Sequence, residues 1–200
     1  MNKRFNIHEY DERYFNWHKD NTRDYAIRTM SWYINEYKPT SIIDYGCGIG
    51  AYLEAGLICG ITNVKGFDIG GEIVKRYTDE SVQKYIEYLD CTKSIVTEKF
   101  DCVLSLETGE HIETKMSDQF VLNICNSSKK NGTIIFSAAQ PGQPGTGHIN
   151  CQEKKFWIDK FLENSFQVDM EKTEFIKNNW SILKAPNYII NNLIIFKYIV

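Results

Sequence analysis

Asp44-Tyr45-Gly46-Cys47-Gly48-Ile49-Gly50 is the stretch whose reading decides the fold. It follows the apolar pair Ile42-Ile43, which reads as a buried strand, and precedes Ala51 to Cys59, which reads as a helix with Gly60 as its C-cap. Three alternating glycines between a strand and a helix permit positive φ and let the backbone approach a ligand closely. The helix that starts there offers unpaired N–H groups and a positive dipole end, suited to a carboxylate or a phosphate.

Upstream of the turn, Tyr25, Ile27, Met30, Tyr33 and Ile34 recur at roughly helical spacing from Thr22 to Tyr37, and Pro39 stops the run. Downstream, Val64 to Phe67, Tyr85 to Leu89, Phe100 to Leu106 and Thr133 to Ser137 read as strands. Helical patterns fall between them at Glu72 to Thr78 and Thr114 to Asn126. A Gly/Pro-rich loop, Gln140 to Gly147, leads to a helix from Glu153 to Leu162, and Phe166 to Met170 and Leu193 to Tyr198 are candidate last strands. Strands alternating with helices predict a doubly wound α/β fold, with a mostly parallel sheet covered by helices on both faces. Ligands of such sheets bind beyond the C-terminal strand ends, where strand order reverses.

The composition suits this reading. A chain of 200 residues with 42% hydrophobic and 24% charged residues supports one sizeable core. The net charge of −3 supplies no strongly basic face, so long nucleic acid is not an expected partner. The six cysteines are scattered without a C-x-x-C pair, mostly in apolar runs, and read as reduced core thiols of a reducing compartment. Met1 to Asn6 leads into polar sequence rather than a signal peptide. The apolar tail from Ile189 to Val200 is broken by Asn191, Asn192 and Lys197, so it does not span a bilayer. A cytoplasmic, soluble protein is expected.

Asp68, twenty-four residues beyond Asp44 at the end of the second strand, is placed to accept both hydroxyls of a ribose. Asp90, at the end of the third, is placed to meet an adenine amino group. The set resembles the D-x-G-x-G-x-G signature of class I S-adenosylmethionine-dependent methyltransferases, in which Asp68 and Asp90 match the second and third acidic markers. The resemblance implies that family's Rossmann-like, seven-stranded fold over residues 1–200 as a single domain, with residues 1–40 an N-terminal helical cover and 41–200 the core. It implies S-adenosyl-L-methionine as cofactor, held by Asp44, Gly46, Cys47, Gly48, Gly50, Asp68, Ile69, Asp90, Cys91 and Leu106. A Rossmann dinucleotide site is the alternative, since Gly46, Gly48 and Ala51 also satisfy a loose G-x-G-x-x-A; the acidic start of the turn and the C-terminal order of elements favour the methyltransferase. The segment Asn21 to Ile27 is similar to an N-terminal stretch of ubiquinone-pathway O-methyltransferases, which implies that Arg23 meets the cofactor's methionyl carboxylate. A solvated arginine on a helix face is the alternative.

After the fourth strand comes Leu106-Glu107-Thr108-Gly109-Glu110-His111. Glu107, Glu110 and His111 stand at i, i+3 and i+4, which brings them together if the chain turns helically there. Three ionisable groups converging beside a cofactor site call for a counter-charge, and carboxylates with one imidazole suit Mg²⁺ or Mn²⁺. The run E-x-x-E-H resembles the metal motif of ubiquinone-biosynthesis O-methyltransferases and of small-RNA 3′-terminal 2′-O-methyltransferases. The second family takes a further histidine from the loop after the fifth strand, which implies His148 as a fourth ligand. Without a metal, the same carboxylate lines the pocket or caps a helix, and His111 or His148 serves as general base. Trp17 and His18 are placed either to cover the cofactor or simply to pack a helix.

A metal that lowers the pKa of a hydroxyl would best serve a vicinal diol, which can chelate it. A sugar, a catechol and the terminal ribose of RNA all qualify. The acidic balance weighs against RNA and the polar 140–147 loop against a lipid-tailed catechol, so a sugar or glycan is the expected acceptor. A resemblance to methyltransferase domains of polysaccharide pathways points the same way, by fold-level analogy only. A non-catalytic, partner-binding methyltransferase-like domain is the reading from another class.

Overall fold

The computed structural model describes residues 12–199. The reading of the first eleven residues, including Met1 to Asn6 and the start of the N-terminal cover, lies outside them, as does Val200. The elements in chain order are α1 (Glu12–Tyr37), β1 (Ser41–Tyr45), α2 (Ala51–Ile58), β2 (Asn63–Asp68), α3 (Gly71–Lys75), α4 (Glu80–Gln83), β3 (Ile86–Tyr88) and β4 (Phe100–Leu106). Then follow α5 (Ser117–Asn126), β5 (Ser128–Ser137), α6 (Lys154–Glu163), β6 (Phe166–Val168), α7 (Met170–Ile182), α8 (Asn187–Asn192) and β7 (Ile194–Tyr198).

Seven strands form one sheet in the order β3-β2-β1-β4-β5-β7-β6. β1 to β5 run parallel, while β7 is antiparallel to both β5 and β6. Strand order reverses between β1 and β4, so the expected crevice opens above those two strands.

Period-two alternation sends successive side chains to opposite faces and builds two cores. Ile42, Cys102, Leu104, Ile135 and Ile195 meet α1, α2, α7 and α8 on one face, through Met30, Tyr33, Leu53, Ile176, Trp180 and Ile189. Ile43, Val103, Ile134, Phe136 and Phe196 meet α5 and α6 on the other, through Phe120, Ile124, Trp157 and Phe161. Four of the six free cysteines (Cys47, Cys91, Cys102 and Cys125) are buried in these layers.

Three helices are absent from the sequence reading. α4 is a single turn. α7 buries only Thr173, Ile176 and Trp180, a stripe too narrow to announce a helix by periodicity. The chain between the two candidate last strands folds as α7 and α8 and carries Tyr188 and Ile189 to the site. α1 begins ten residues earlier than Thr22. Phe15 stacks on Tyr77 at 5.0 Å and extends the helix over the crevice.

Candidate functional site

The glycine turn hangs on the end of β2: Gly46 N–H and Cys47 N–H both donate to the Phe67 carbonyl, at 2.8 and 3.0 Å. Gly46 has φ +76°, and a Cβ there would lie 2.3 Å from Thr108 Oγ1, so the position demands glycine on two counts. Gly48 N–H, with φ +51°, donates to Asp68 Oδ2 at 2.8 Å, and Gly70 N–H donates to Oδ1 at 2.7 Å. Asp68 is thereby pre-set; burial pushes its pKa up and the two N–H groups draw it back. Asp44, buried at the end of β1, is pushed up to about 7, first by burial and then by the charge of Asp68. At Asp90 burial is outweighed by the Lys93 ammonium, 2.6 Å away, and by Thr92, so its pKa falls.

These residues open onto a cavity of about 980 Å³ above β1 and β4, large enough for a nucleoside cofactor and an acceptor together. Asp44, Gly46, Cys47, Gly48, Asp68, Ile69, Asp90, Cys91 and Leu106 all line it, as the sequence reading expects. Trp17 and His18 line it too, with His18 Nδ1 2.8 Å from Thr22 Oγ1, so α1 forms part of the roof.

Two of the expected cofactor residues lie outside the cavity wall. Gly50 is not in the wall: with φ +76° it caps α2, and a Cβ there would lie 2.7 Å from Val82. Arg23 points to the other side of α1. Its guanidinium makes a two-pronged ion pair with Glu54, with Nε 2.7 Å from Oε2, in a separate cleft of about 380 Å³. Position along a helix sets the face, and the 3.6-residue period turns Arg23 away from the face that carries Thr22 and Tyr25.

The acidic–histidine run forms a single turn of 3₁₀ helix at Gly109–His111. Glu110 lies at the bottom of the cavity, 0% exposed, and neither carboxyl oxygen has a hydrogen-bond partner within 3.5 Å among the described residues, although the Ala139 backbone and the Glu107 carboxyl stand close to it. Burial, and next the charge of Glu107, raise its pKa well above the ordinary value. The loop after β5 is stitched onto this turn: Ile149 N–H and Asn150 N–H both donate to the Glu110 carbonyl at 2.9 Å. Buried Asn150 also bonds Ser117 and Thr114. The stitching places His148 Nε2 3.9 Å from Glu110 Oε1 and the two imidazoles 5.1 Å apart. Glu110, His111 and His148 can each bring a ligand atom within 4.8 Å of the others.

Both histidines are oriented by backbone carbonyls. His111 Nδ1 lies 3.1 Å from Gly147 O, so it carries the proton it donates and Nε2 holds the lone pair, while His148 Nδ1 lies 3.3 Å from Gln143 O and 3.5 Å from Cys151 Sγ. Burial depresses the His111 pKa to about 4, which keeps its ring neutral.

Glu107 departs from the expected ligand set. The helical turn begins only at Gly109 and Glu107 adopts φ +52°; its carboxyl lies beside that of Glu110 but is not one of the three groups whose ligand atoms lie within 4.8 Å of one another. Asn192 Nδ2 donates to both of its oxygens instead, at 3.1 and 3.3 Å. Glu107 still lines the cavity and charges the neighbourhood of Glu110. Asn150, Asn192 and Tyr188 are functional neighbours that sequence reasoning missed. Pro186-Asn187 was the available signal for the start of α8, since proline precedes a helix readily.

Seen against known proteins, residues 43–136 match the family described as "Methyltransferase domain". Solved structures extend the likeness over nearly the whole chain. A sugar N-methyltransferase, KedS8 of Streptoalloteichus, superposes with a TM-score of 0.68 at 10% identity, covering 93% of this chain and 92% of its own. An S-adenosylmethionine-dependent methyltransferase of Archaeoglobus fulgidus gives 0.66 at 20% identity, covering 94% and 100%. The fold is that of class I methyltransferases. An O-methyltransferase of a polyketide multienzyme of Brevibacillus brevis, solved with S-adenosyl-L-homocysteine, gives 0.62 at 16% identity over 87% of this chain and 72% of that one. Among curated proteins, the ribosomal protein L11 methyltransferase of Lactobacillus johnsonii is 26% identical over 155 residues, 75% of this chain. The chain spans 44% of that relative's length. No described helix is long and apolar enough to cross a membrane.

Proposed function

We propose that the protein transfers a methyl group from S-adenosylmethionine to a hydroxyl of a vicinal diol, on a sugar or glycan, with a divalent cation at Glu110, His111 and His148. One observation carries the reading: a fully buried carboxyl whose oxygens make no hydrogen bond within 3.5 Å among the described residues, set beside the Glu107 carboxyl and 3.9 Å from His148 Nε2. A buried polar group left unpaired costs about 1–3 kcal/mol, and more when charged, so such a group persists where a ligand completes it. One acid and two imidazoles suit Mn²⁺ or Mg²⁺, and Cys151, whose Sγ lies 3.5 Å from His148 Nδ1, is not one of the three grouped ligands.

When bound, the cation supplies the positive charge that lowers the pKa of an acceptor hydroxyl. The chain's own residues do the rest. Asp68, fixed by Gly48 and Gly70, accepts the ribose hydroxyls, and the wall at Asp90 and Cys91 takes the adenine. Asp44 faces the cationic end of the cofactor. The backbone carbonyl of Gly147 holds the His111 imidazole in one tautomer, so its Nε2 is presented toward the acceptor side. The loop 140–147 lies over His148 so closely that a Cβ on Gly145 would meet Nε2 at 2.1 Å, and it shields the acceptor end from water.

The polar character of that loop supports a sugar over a lipid-tailed catechol, and the fold of a sugar N-methyltransferase is compatible with it. The test pairs glycans bearing a free cis-diol with matched glycans whose neighbouring hydroxyl is blocked, with and without chelator. Methylation of the free diol alone, lost on chelation and restored by Mn²⁺, is expected. Equal rates on both acceptors, or full activity after exhaustive chelation, refutes the diol–metal reading.

A further inference from the structure

With Arg23 paired to Glu54 in its own cleft, no guanidinium among the described residues lines the cavity to receive the carboxylate of the cofactor's amino-acid tail. Among the described residues, the cationic side chains in its wall are Lys93 and Lys115, paired to Asp90 at 2.6 Å and to Glu113 at 2.9 Å. Lys93 thus belongs to the adenine end, and Lys115 stands on the turn before α5, whereas the glycine turn and Glu107 flank the other end.

At that other end, α2 contributes Tyr52 to the wall. The residue is 7% exposed, and its buried hydroxyl has no hydrogen-bond partner among the described residues. The groups that surround it electrostatically are the phenols of Tyr25 from α1 and Tyr188 from α8 and the carboxylates of Asp44 and Glu107. Two acids and a cluster of phenols are what a zwitterion requires: the acids face the ammonium, and a neutral hydroxyl donates to the carboxylate without adding a charge that Asp44 and Glu107 would have to neutralise.

Resting on the reading of the cavity as an S-adenosylmethionine site, we infer that Tyr52, beneath a roof made by Tyr25 and Tyr188, is the subsite that recognises the carboxylate of the cofactor's amino-acid tail in place of Arg23. Three helices from distant parts of the chain, α1, α2 and α8, meet there. The subsite also selects: a decarboxylated cofactor leaves the Tyr52 donor unpaired and loses the advantage of the native one.

Calorimetry on the full chain tests this with two ligands, S-adenosylhomocysteine and 5′-methylthioadenosine, which lacks the tail. Tyr52→Phe keeps the ring and removes only the donor. It is expected to weaken S-adenosylhomocysteine about tenfold or more while leaving methylthioadenosine unchanged, since a hydrogen bond to a charged group carries that much. Loss of an unpaired buried hydroxyl should at the same time raise the Tm of the ligand-free protein by about 2–4 °C. Arg23→Gln should leave the affinity for both ligands unchanged. Wild-type affinity of Tyr52→Phe for S-adenosylhomocysteine overturns the assignment, as does an equal loss for both ligands. If the wild-type protein binds methylthioadenosine and S-adenosylhomocysteine equally, no tail subsite exists; if it binds neither, the methyltransferase reading falls with it.

Discussion

If the cavity holds the cofactor as proposed, its binding should be linked to a proton on Asp44. Its carboxyl is buried at the end of β1 and raised from 3.8 to about 7 by burial and by Asp68, with the Cys47 thiol and the Tyr52 phenol as its other ionisable neighbours. The cofactor carries an ammonium group, and a cation lying against Asp44 stabilises the ionised form. Below about pH 7 the empty site holds a proton that binding must expel, so affinity falls by one decade per pH unit. Between pH 7.5 and 5.5 that linkage amounts to about 25-fold, or roughly 2 kcal/mol. His18 and His111, both depressed to about 4 by burial, stay neutral across this window.

The same shift fixes the sign for stability. A folded-state value above the unfolded one means that the empty protein is most stable below pH 3.8 with respect to this group. It loses that contribution, roughly 4 kcal/mol at most, as pH rises to about 7. The assay is titration of S-adenosylhomocysteine at several pH values in two buffers of different ionisation enthalpy, which counts protons. Near pH 6.5 about three-quarters of a proton should leave per ligand bound, and Asp44→Asn should release that much less. Affinity that is flat from pH 5.5 to 7.5, with identical heats in both buffers, refutes the reasoning.

Gly46→Ala should cost about 2–5 kcal/mol in urea unfolding, from left-handed strain plus overlap with Thr108. Adding Thr108→Gly should recover the overlap part alone. His148→Ala should lower turnover about a hundredfold or more while changing the Kd of S-adenosylhomocysteine less than twofold, because it stands on the acceptor side; equal losses in both would place it elsewhere. Glu110→Met should leave the metal-free protein as stable or more so, by up to about 4 kcal/mol in urea unfolding, since it removes an unpaired buried acid. Mn²⁺ binding followed by electron paramagnetic resonance should vanish in the same variant, and retained binding would exclude Glu110 as a ligand.

The alternation of strands and helices, the glycine turn, and carboxylates at three successive strand ends are properties of local pattern, and the sequence by itself determined them. Periodicity fixes which side chains share a face, and glycine fixes where the backbone bends. These suffice for a doubly wound sheet and for the position of its crevice. Asp44, Asp68 and Asp90 were legible for that reason, each closing a strand whose direction is set.

Only the tertiary structure decided what lies on the other side of the cavity. Arg23 and Thr22 are neighbours in sequence, yet one faces Glu54 and the other the cavity roof, and which is which depends on how α1 rolls on α2. Glu107 and Glu110 carry the same chemistry at helical spacing, but the helical turn starts after Glu107, so Asn192, 85 residues away, takes its carboxylate. His148 joins Glu110 because two backbone N–H groups of its loop reach the Glu110 carbonyl. Contacts of this kind are long-range and leave no period in the chain, since packing chooses among faces that the local sequence leaves equivalent.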